Sequence, residues 1–467
     1  MLFSSKTFLF IFLPTVIGIY YLFLRKHTKI KNLFLFLVSL LFYAWSEPKF
    51  LIVMLILILL NWISGIIIEK NRNISKIVLC ITLLFDIGVI FLYKYLGFIV
   101  ENINMIIKPI GWEIANIEFV LPLGISFFTF QAISYIIDVF KGKVKAQRNF
   151  INLGLYISFF PQLIAGPIVR YDTIEKQINN RKENFDDFSS GVCRFIIGLG
   201  KKVIIANNIA IVADKAFELQ NPSICMAWLG IIAYTLQIFF DFSGYSDMAI
   251  GLGKMFGFHF LENFNYPYVA KSISDFWRRW HISLETWFKD YVYIPLGGNR
   301  VTKRRMVFNI FIVWLLTGLW HGANWTFILW GIMYFILLTI EKLTKFDKKA
   351  GKLKVINHVY SLLFIMIGWV LFRSDNIFQA FTYLGGMFGL QHNLFIDNVA
   401  KVYFKEFWIY FILGIIFCLP FTKKIYEKLR DNKVFQFLLI IFAIMILVLS
   451  ISYINENIYN PFIYFNF

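Results

Sequence analysis

Hydrophobic residues run in long continuous stretches along the whole chain, separated by short polar intervals. Continuous stretches favour helices, whereas the strands of a membrane β-barrel would alternate apolar and polar positions. Within a bilayer a helix also satisfies its own backbone hydrogen bonds, and a spanning helix needs roughly 20 apolar residues. The clearer stretches lie near 7–24, 32–46, 50–68, 77–99, 121–140, 151–169, 191–212, 224–241, 306–320, 325–340, 355–373, 406–422 and 434–453.

This pattern predicts an all-α polytopic integral membrane protein with roughly 10–13 membrane helices or re-entrant segments. The apolar segment 159–171 is interrupted by Pro161, Gly166 and Pro167. Such an interruption at membrane depth is tolerated where the segment is buried in protein or lines a cavity, so we expect a re-entrant piece there. No linker or internal repeat stands out, and residues 1–467 are predicted to form a single transmembrane domain.

Composition supports the membrane assignment. The chain is 59% hydrophobic and 16% charged, whereas a soluble domain is usually about 45–50% apolar and about 25% charged. The net charge of +18 comes mainly from lysine and arginine clustered between apolar stretches, as in cytoplasmic loops that face anionic lipid. We therefore expect contact with membrane lipid and not with nucleic acid. The four cysteines lack metal-ligand spacing, and we predict neither a disulfide nor a metal site.

The basic residues also predict a topology. The intervals 25–31, 69–76 and 141–148 are rich in lysine and arginine, and such loops are retained preferentially in the cytoplasm. The stretch 101–119 should then lie on the opposite, outer side of the membrane.

One long polar interval, residues 257–305, breaks the hydrophobic pattern. Its central part predicts an amphipathic helix at the membrane interface, with tryptophans at headgroup level. Arg278, Arg279 and other basic residues indicate that this helix lies on the cytoplasmic side. The residues on its predicted apolar face are Trp277, Trp280, His281, Leu284 and Trp287.

A histidine lies in the apolar segment GLWHGANWTFILWG, residues 318–331. One interpretation of His321 is an interhelical hydrogen bond that tightens packing. The other is a functional site, since ionisable groups in membranes often mark sites and a neutral imidazole can accept a proton as a general base. Asn324 could hold one tautomer of that imidazole, and tryptophans such as Trp320 and Trp325 could wall a cavity.

Two further groups of residues are candidates. His281 shares its predicted helix face with tryptophans, and it is either an interfacial histidine without chemistry or part of a site. Asp241 and Tyr245 lie one helical turn apart at the end of an apolar stretch. Asp247 follows, and two carboxylates at the end of an apolar stretch need partners, for which Arg278, Arg279 or a backbone nest are candidates. A structural clamp and a site wall both remain open for this pair.

Five stretches together resemble the membrane-bound O-acyltransferase family, and within it the bacterial alginate and peptidoglycan O-acetyltransferases. They span the middle of the chain in a single order. The resemblance implies a bacterial plasma membrane protein in which an acyl group from a cytoplasmic thioester passes through a central tunnel to an acceptor outside. The five stretches are residues 121–140, 159–171, 240–253, 275–300 and 316–331.

The resemblance also implies roles for individual residues. The catalytic histidine of the family falls on His321, and its second, cytoplasmic-side histidine falls on His281. Arg278 and Arg279 are expected to bind the donor. The supporting or tunnel-lining residues are expected to be Asn324, Trp320, Trp325, Asp241, Tyr245 and Trp277.

The function implied is that of an enzyme, an O-acetyltransferase that uses acetyl-CoA as donor without a tightly bound cofactor. Its acetyl group would cross the membrane for O-acetylation of an extracytoplasmic cell-envelope polysaccharide. An extracytoplasmic, hydrolase-like acetyl-carrier protein is the expected partner. Three alternatives stay open. Two are acyltransferases, one for D-alanyl transfer to teichoic acid and one for a protein or lipid acceptor. The third is a transporter of a polysaccharide or of the acyl carrier, because broken helices and midplane polar groups also suit transporters.

Overall fold

Every regular element that the structure describes is a helix, which confirms the all-α prediction. Some residues of the predicted cytoplasmic interval 25–31 and the predicted outer stretch 101–119 lie outside the described residues. The computed structural model describes residues 1–24, 27–115, 119–346, 354–456 and 463.

The first of two compact units comprises residues Met1–Phe195 and Met248–Leu261. It contains the beginning of helix α9 (Phe185–Glu218) and the end of helix α10 (Ile224–Met255). Its other helices are α1 (Phe8–Phe23), α2 (Thr28–Ser46), α3 (Pro48–Lys70), α4 (Ser75–Ile110), α5 (Ile125–Phe140), α6 (Phe150–Ser158), α7 (Phe160–Leu163) and α8 (Tyr171–Asn180).

The predicted interruption of segment 159–171 is confirmed in this unit. Helix α6 stops before Phe159, whose ψ of 114° is not helical, and the short helix α7 follows at once. Pro161 lies in the first turn of α7. A backbone N–H at this position would have no acceptor within the helix, so proline removes no hydrogen bond there. Gly166 comes so close to the preceding turn that a Cβ there would lie 2.5 Å from the Cα of Gln162.

The second unit comprises residues Ile196–Asp247 and Glu262–Phe467. It contains the rest of α9 and α10. Its other helices are α11 (Ile273–Trp277), α12 (Ile282–Phe288), α13 (Lys303–His321), α14 (Trp325–Thr344), α15 (Lys354–Arg373), α16 (Ile377–Met387), α17 (Asn398–Phe417), α18 (Phe421–Leu429) and α19 (Lys433–Glu456).

Side-chain caps set where several helices of the second unit begin. Thr302, Asn324, Asn376 and Asp397 each accept a hydrogen bond from a backbone N–H in the first turn of the helix that follows. Those N–H groups have no partner within the helix, so a capping oxygen stabilises the start. The caps of α13 and α14 define a helical hairpin with a three-residue connection, which places His321 at its tip.

The described residues include eight helices that are long and apolar enough to span a bilayer: α2, α3, α4, α9, α10, α14, α15 and α19. A ninth span is possible if α17 and α18, which are bent by 62° at their junction, form one broken span. Helices α1 and α5 are apolar but shorter. The chain is therefore a polytopic membrane protein. That residues 1–467 form a single domain stays a prediction.

Candidate active site

The polar interval 257–305 does not form the single amphipathic helix that its periodicity predicts. Helix α11 ends before His281, and α12 begins after it, because the backbone of His281 is left-handed with φ 47° and ψ 52°. L-residues rarely adopt this conformation, which cannot continue a right-handed helix. Trp277, Trp280 and Trp287 are buried in the protein rather than at headgroup level. The apolar spacing correctly predicted which face is buried, but that face packs against other helices and not against the membrane interface.

A cavity of about 520 Å³ lies among helices α11 to α14, and it brings the two predicted histidines together. His281 lines it from the turn between α11 and α12, and His321 lines it from the last residue of α13. Trp277 and Arg278 line the same cavity, and their roles as tunnel and donor-binding residues stay predictions.

The cavity is elongated along one face of α13. Residues 310, 313, 314, 317 and 321 of this helix line it, a spacing of three or four residues that keeps one face toward the cavity. Eleven residues separate Ile310 from His321, which corresponds to roughly 16 Å along the helix axis. The cavity therefore has two ends, one at the beginning of α13 and one at His321.

Aromatic rings surround His321. Its imidazole centroid lies 4.7 Å from the Trp320 ring, 5.0 Å from Trp330 and 4.9 Å from Phe372, each in an edge-on arrangement. The side chain is buried, with 5% of the residue exposed. In edge-on packing the positive edge of one aromatic ring meets the negative face of another. The surrounding rings therefore hold the imidazole in a fixed orientation and away from bulk water.

A hydrogen-bonded amide orients the ring of His281. Its Nδ1 lies 3.1 Å from Oδ1 of Asn263, and the same oxygen accepts from the backbone N–H and the hydroxyl of Ser283. This network assigns the proton of the neutral ring to Nδ1 and leaves a lone pair on Nε2. Burial lowers the pKa of His281 to about 3, so the ring is neutral at physiological pH.

One indole lies against both histidines. The Trp320 ring centroid is 4.7 Å from that of His321 and 5.9 Å from that of His281. Phe242 packs against His281 with its centroid 4.7 Å away. Trp320 is not among the residues that line the cavity, so its predicted role as a cavity wall stays a prediction, but its ring packs against both imidazoles.

The end of the cavity near the beginning of α13 carries positive charge. Nζ of Lys342 donates to the hydroxyl oxygen of Tyr293 at 2.9 Å and to Oδ1 of Asn299 at 2.5 Å. Lys289 and Lys345 also line the cavity, whose lining holds four basic residues and two acidic ones, Glu285 and Glu341. A lysine held in place by two oxygen acceptors, with further cations beside it, makes a favourable site for an anionic group.

Arg279, Asn324 and Trp325 were also predicted as site residues but, like Trp320, they are not among the residues that line the cavity. Arg279 pairs with Asp275 at 3.0 Å. Asn324 caps α14 through Thr326 N and donates to the carbonyl of Asp375, so it does not hold the imidazole of His321. Trp325 is half exposed. Their roles as donor-binding or supporting residues stay predictions.

Asp241 and Tyr245 are buried, and neither is among the residues that line the cavity. The carboxylate of Asp241 forms an ion pair with Lys202 at 2.6 Å and accepts from the backbone N–H of Ile463. The expected partners, Arg278 or Arg279, are therefore replaced by a lysine from α9. This geometry favours the interpretation of Asp241 as a structural clamp over its interpretation as part of the wall of the site.

Sequence reasoning did not single out the polar residues contributed by the end of α14. Glu341 and Lys342 both line the cavity, although an acidic and a basic residue at the end of an apolar stretch look like an ordinary solvated helix end. Asn263 was missed because its partner His281 lies 18 residues away. The signal available in the sequence was the acidic–basic pair of Glu341 and Lys342, which follows the tryptophan-rich stretch 318–331.

Comparison with known proteins places these residues within one family. A model of the membrane-bound O-acyltransferase (MBOAT) family matches residues 143–374, a range that includes both histidines and the whole cavity. The protein named "Probable alginate O-acetylase AlgI" of Pseudomonas syringae is 46% identical over 392 residues, which cover 83% of this chain and 75% of that relative.

Two further relatives extend the comparison. The peptidoglycan O-acetyltransferase of Helicobacter pylori is 36% identical over 425 residues, covering 84% of this chain and 80% of the relative. The teichoic acid D-alanyltransferase of Bacillus subtilis is 32% identical over 303 residues, covering 62% of this chain and 74% of the relative. The chain is a multi-pass membrane enzyme, an O-acyltransferase, and belongs to the membrane-bound O-acyltransferase family.

Proposed function

We propose that this protein is an O-acetyltransferase that takes an acetyl group from acetyl-CoA on the cytoplasmic side and delivers it for O-acetylation of an extracytoplasmic envelope polysaccharide. The observation that carries the proposal is the placing of His281 and His321 in one cavity whose other end is basic. Relatives named for alginate and peptidoglycan O-acetylation match over more of this chain than the D-alanyltransferase does.

The donor enters at the basic end of the cavity. Lys342, Lys289 and Arg278 are placed to bind the phosphate groups of coenzyme A, since phosphate oxygens accept strong charge-assisted hydrogen bonds. The slender pantetheine arm then lies along the lining face of α13, with its thioester near His321. Aromatic walls at that end exclude water and so limit hydrolysis of the thioester.

The transfer step uses His321 as general base. Its imidazole accepts the proton of the acceptor hydroxyl while the hydroxyl oxygen attacks the thioester carbonyl. The C–S bond breaks as the new C–O bond is completed, and the imidazolium returns the proton to the departing thiolate. His281, neutral and oriented by Asn263, offers Nε2 as a hydrogen-bond acceptor that positions the donor.

The acceptor hydroxyl belongs to a saccharide or to a serine of an extracytoplasmic, hydrolase-like acetyl-carrier protein. The names of the alginate and peptidoglycan relatives support a polysaccharide as the final acceptor. D-alanyl transfer to teichoic acid is the second candidate, and the identity with the Bacillus subtilis enzyme supports it. A D-alanyl thioester offered in place of acetyl-CoA distinguishes the two.

Thiol release from acetyl-CoA by purified protein in nanodiscs tests the proposal. We expect His321→Ala to lower the rate by at least about 100-fold, the lower range for loss of a general base. His392→Asn is the matched control, because His392 is exposed, lies outside the cavity lining and has a left-handed backbone that asparagine tolerates. This control should retain the wild-type rate.

Two results would contradict the proposal. Equal rates for wild type and His321→Ala, at matched yield and monodispersity, would make His321 a packing residue. Wild-type protein that turns over no acyl thioester, even with envelope extract added, would remove acetyl-CoA as donor and favour a transporter.

A further inference from the structure

Glu341 is a buried carboxylate near the end of the candidate span α14. Only 2% of the residue is exposed, although it lies three residues from the end of the helix and beside Lys342. A buried carboxylate is unfavourable unless hydrogen bonds replace its hydration. Its partners therefore indicate what the residue holds in place.

The donors to this carboxylate come mainly from the start of α11, and the hydroxyl of Tyr360 on α15 also bonds to it. The backbone N–H of Ile273 donates to Oε1 at 2.7 Å, and the backbone N–H and hydroxyl of Ser274 donate to Oε2 at 2.8 and 2.7 Å. The next N–H, that of Asp275, is capped by the hydroxyl of Ser272. The carboxylate thus satisfies helix-terminal N–H groups that have no partner within α11, at the positive end of the helix.

Helix α11 depends on such an anchor because it is very short. Its five residues form little more than one turn, and a helix of this length is not stable by itself. It carries Trp277 at its end, is followed by Arg278, and leads after three more residues to His281, all of which line the cavity. The position of these side chains is set at one end by Glu341 and at the other by the bond from His281 to Asn263.

We infer that Glu341 is a positioning residue for donor binding, acting through α11 on Trp277, Arg278 and His281. The inference rests on the proposed function, since it assumes that the donor occupies this cavity. It assigns Glu341 no contact with the reacting atoms, because its carboxylate oxygens are engaged with α11. Loss of the anchor should therefore appear in the KM for the donor and not in kcat.

The test is Glu341→Gln, which keeps the side-chain size but turns an amide NH₂ toward one of the donors of α11. A buried N–H that loses its acceptor is strongly penalised, and we expect KM for acetyl-CoA to rise on the order of ten-fold with kcat little changed. Glu427→Gln is the matched control, since Glu427 is an exposed residue of α18 paired with Lys423 at 3.8 Å. This control should leave both constants at wild-type values.

Hydrogen exchange of the same variants provides a readout that needs no turnover. In Glu341→Gln the amides of residues 273–281 should exchange faster, while those of α13 and α17 keep wild-type rates. Unchanged exchange and unchanged KM would overturn the inference, as would a fall in kcat at constant KM. Faster exchange throughout the protein would also overturn it, by showing a general loss of stability. If wild type turns over no acetyl-CoA, the proposed function fails, and exchange at 273–281 still decides whether Glu341 anchors α11.

Discussion

At the scale of single residues, burial decides the charge of His281. The pKa of its ring is lowered to about 3 by desolvation, whereas the unfolded chain has an ordinary histidine pKa near 6.5. Between these values the unfolded chain binds a proton that the folded ring does not, so stability falls as the pH drops from about 6.5 toward 3. At neutral pH the ring is neutral in both the folded and the unfolded chain, so this loss of stability is absent.

His281→Gln should therefore reduce the acid sensitivity of the protein. We expect its melting temperature to fall less than that of wild type between pH 7.5 and pH 5, since each pH unit in this window corresponds to at most about 1.4 kcal/mol for one group. Thermal unfolding in nanodiscs at both pH values measures the difference, with His392→Asn as the exposed-histidine control. Parallel shifts for wild type and His281→Gln would show that another group causes the acid sensitivity.

The residues most visible in the sequence were those whose polarity conflicts with their surroundings. His321 was identified because a histidine in an apolar stretch is unusual, and the structure places it with His281 on one cavity. Glu341 has no such contrast, because a charged residue is common where a span ends. Asn324 shows a different case, since its position before an apolar stretch also matches an N-cap, which is the bond that it makes.

At the scale of elements, α13 and α14 pack through glycines. A Cβ on Gly318 would lie 2.5 Å from the carbonyl oxygen of Phe327, and one on Gly331 would lie 2.5 Å from that of Trp314. Small residues allow membrane helices to approach this closely. The approach brings Trp330 against His321 and therefore shapes the aromatic end of the cavity.

Gly331→Ala should separate these helices. Because the clash is with backbone atoms, we expect a loss of about 1–3 kcal/mol of stability, as for overpacked cores, together with slower thiol release. Gly88→Ala is the control, since nothing lies within 4 Å of a Cβ there and alanine is the better helix former. Melting temperature and initial rate are measured for both. A Gly331→Ala protein with wild-type values would show that the hairpin adjusts without displacing His321.

The break between α11 and α12 could not be predicted from periodicity. Apolar residues at helical spacing continue through His281 because both short helices bury the same kind of face. The left-handed φ of one residue leaves no trace in that spacing. The break brings the imidazole of His281 toward the cavity. The residue that departs from the helical pattern therefore lies at the candidate site.

At the scale of the whole molecule, composition and hydropathy were sufficient to predict a polytopic helical protein. They could not predict long-range partners such as Lys202 and Asp241, which lie on α9 and α10 and meet as a buried pair. The two compact units also leave no mark in the sequence, because no linker or change in composition separates them.

The predicted topology can be tested on either side of helix α5. Trp112 is exposed in the stretch predicted to lie outside, and Lys145 is exposed in a basic interval predicted to be cytoplasmic. With the four native cysteines replaced by alanine, a membrane-impermeant maleimide should label Trp112→Cys in intact cells and leave Lys145→Cys unlabelled. Permeabilised cells should label both. The reverse pattern in intact cells would invert the orientation.

The indole rings around the two histidines also have an optical consequence. Trp277, Trp280 and Trp314 line the cavity, and Trp320 and Trp330 pack against the imidazole of His321. Indole emission responds to the polarity of its surroundings, and these rings lie where a bound molecule would displace water. The walls that we propose to confine a thioester therefore make the protein its own fluorescent indicator of occupancy, without any attached dye.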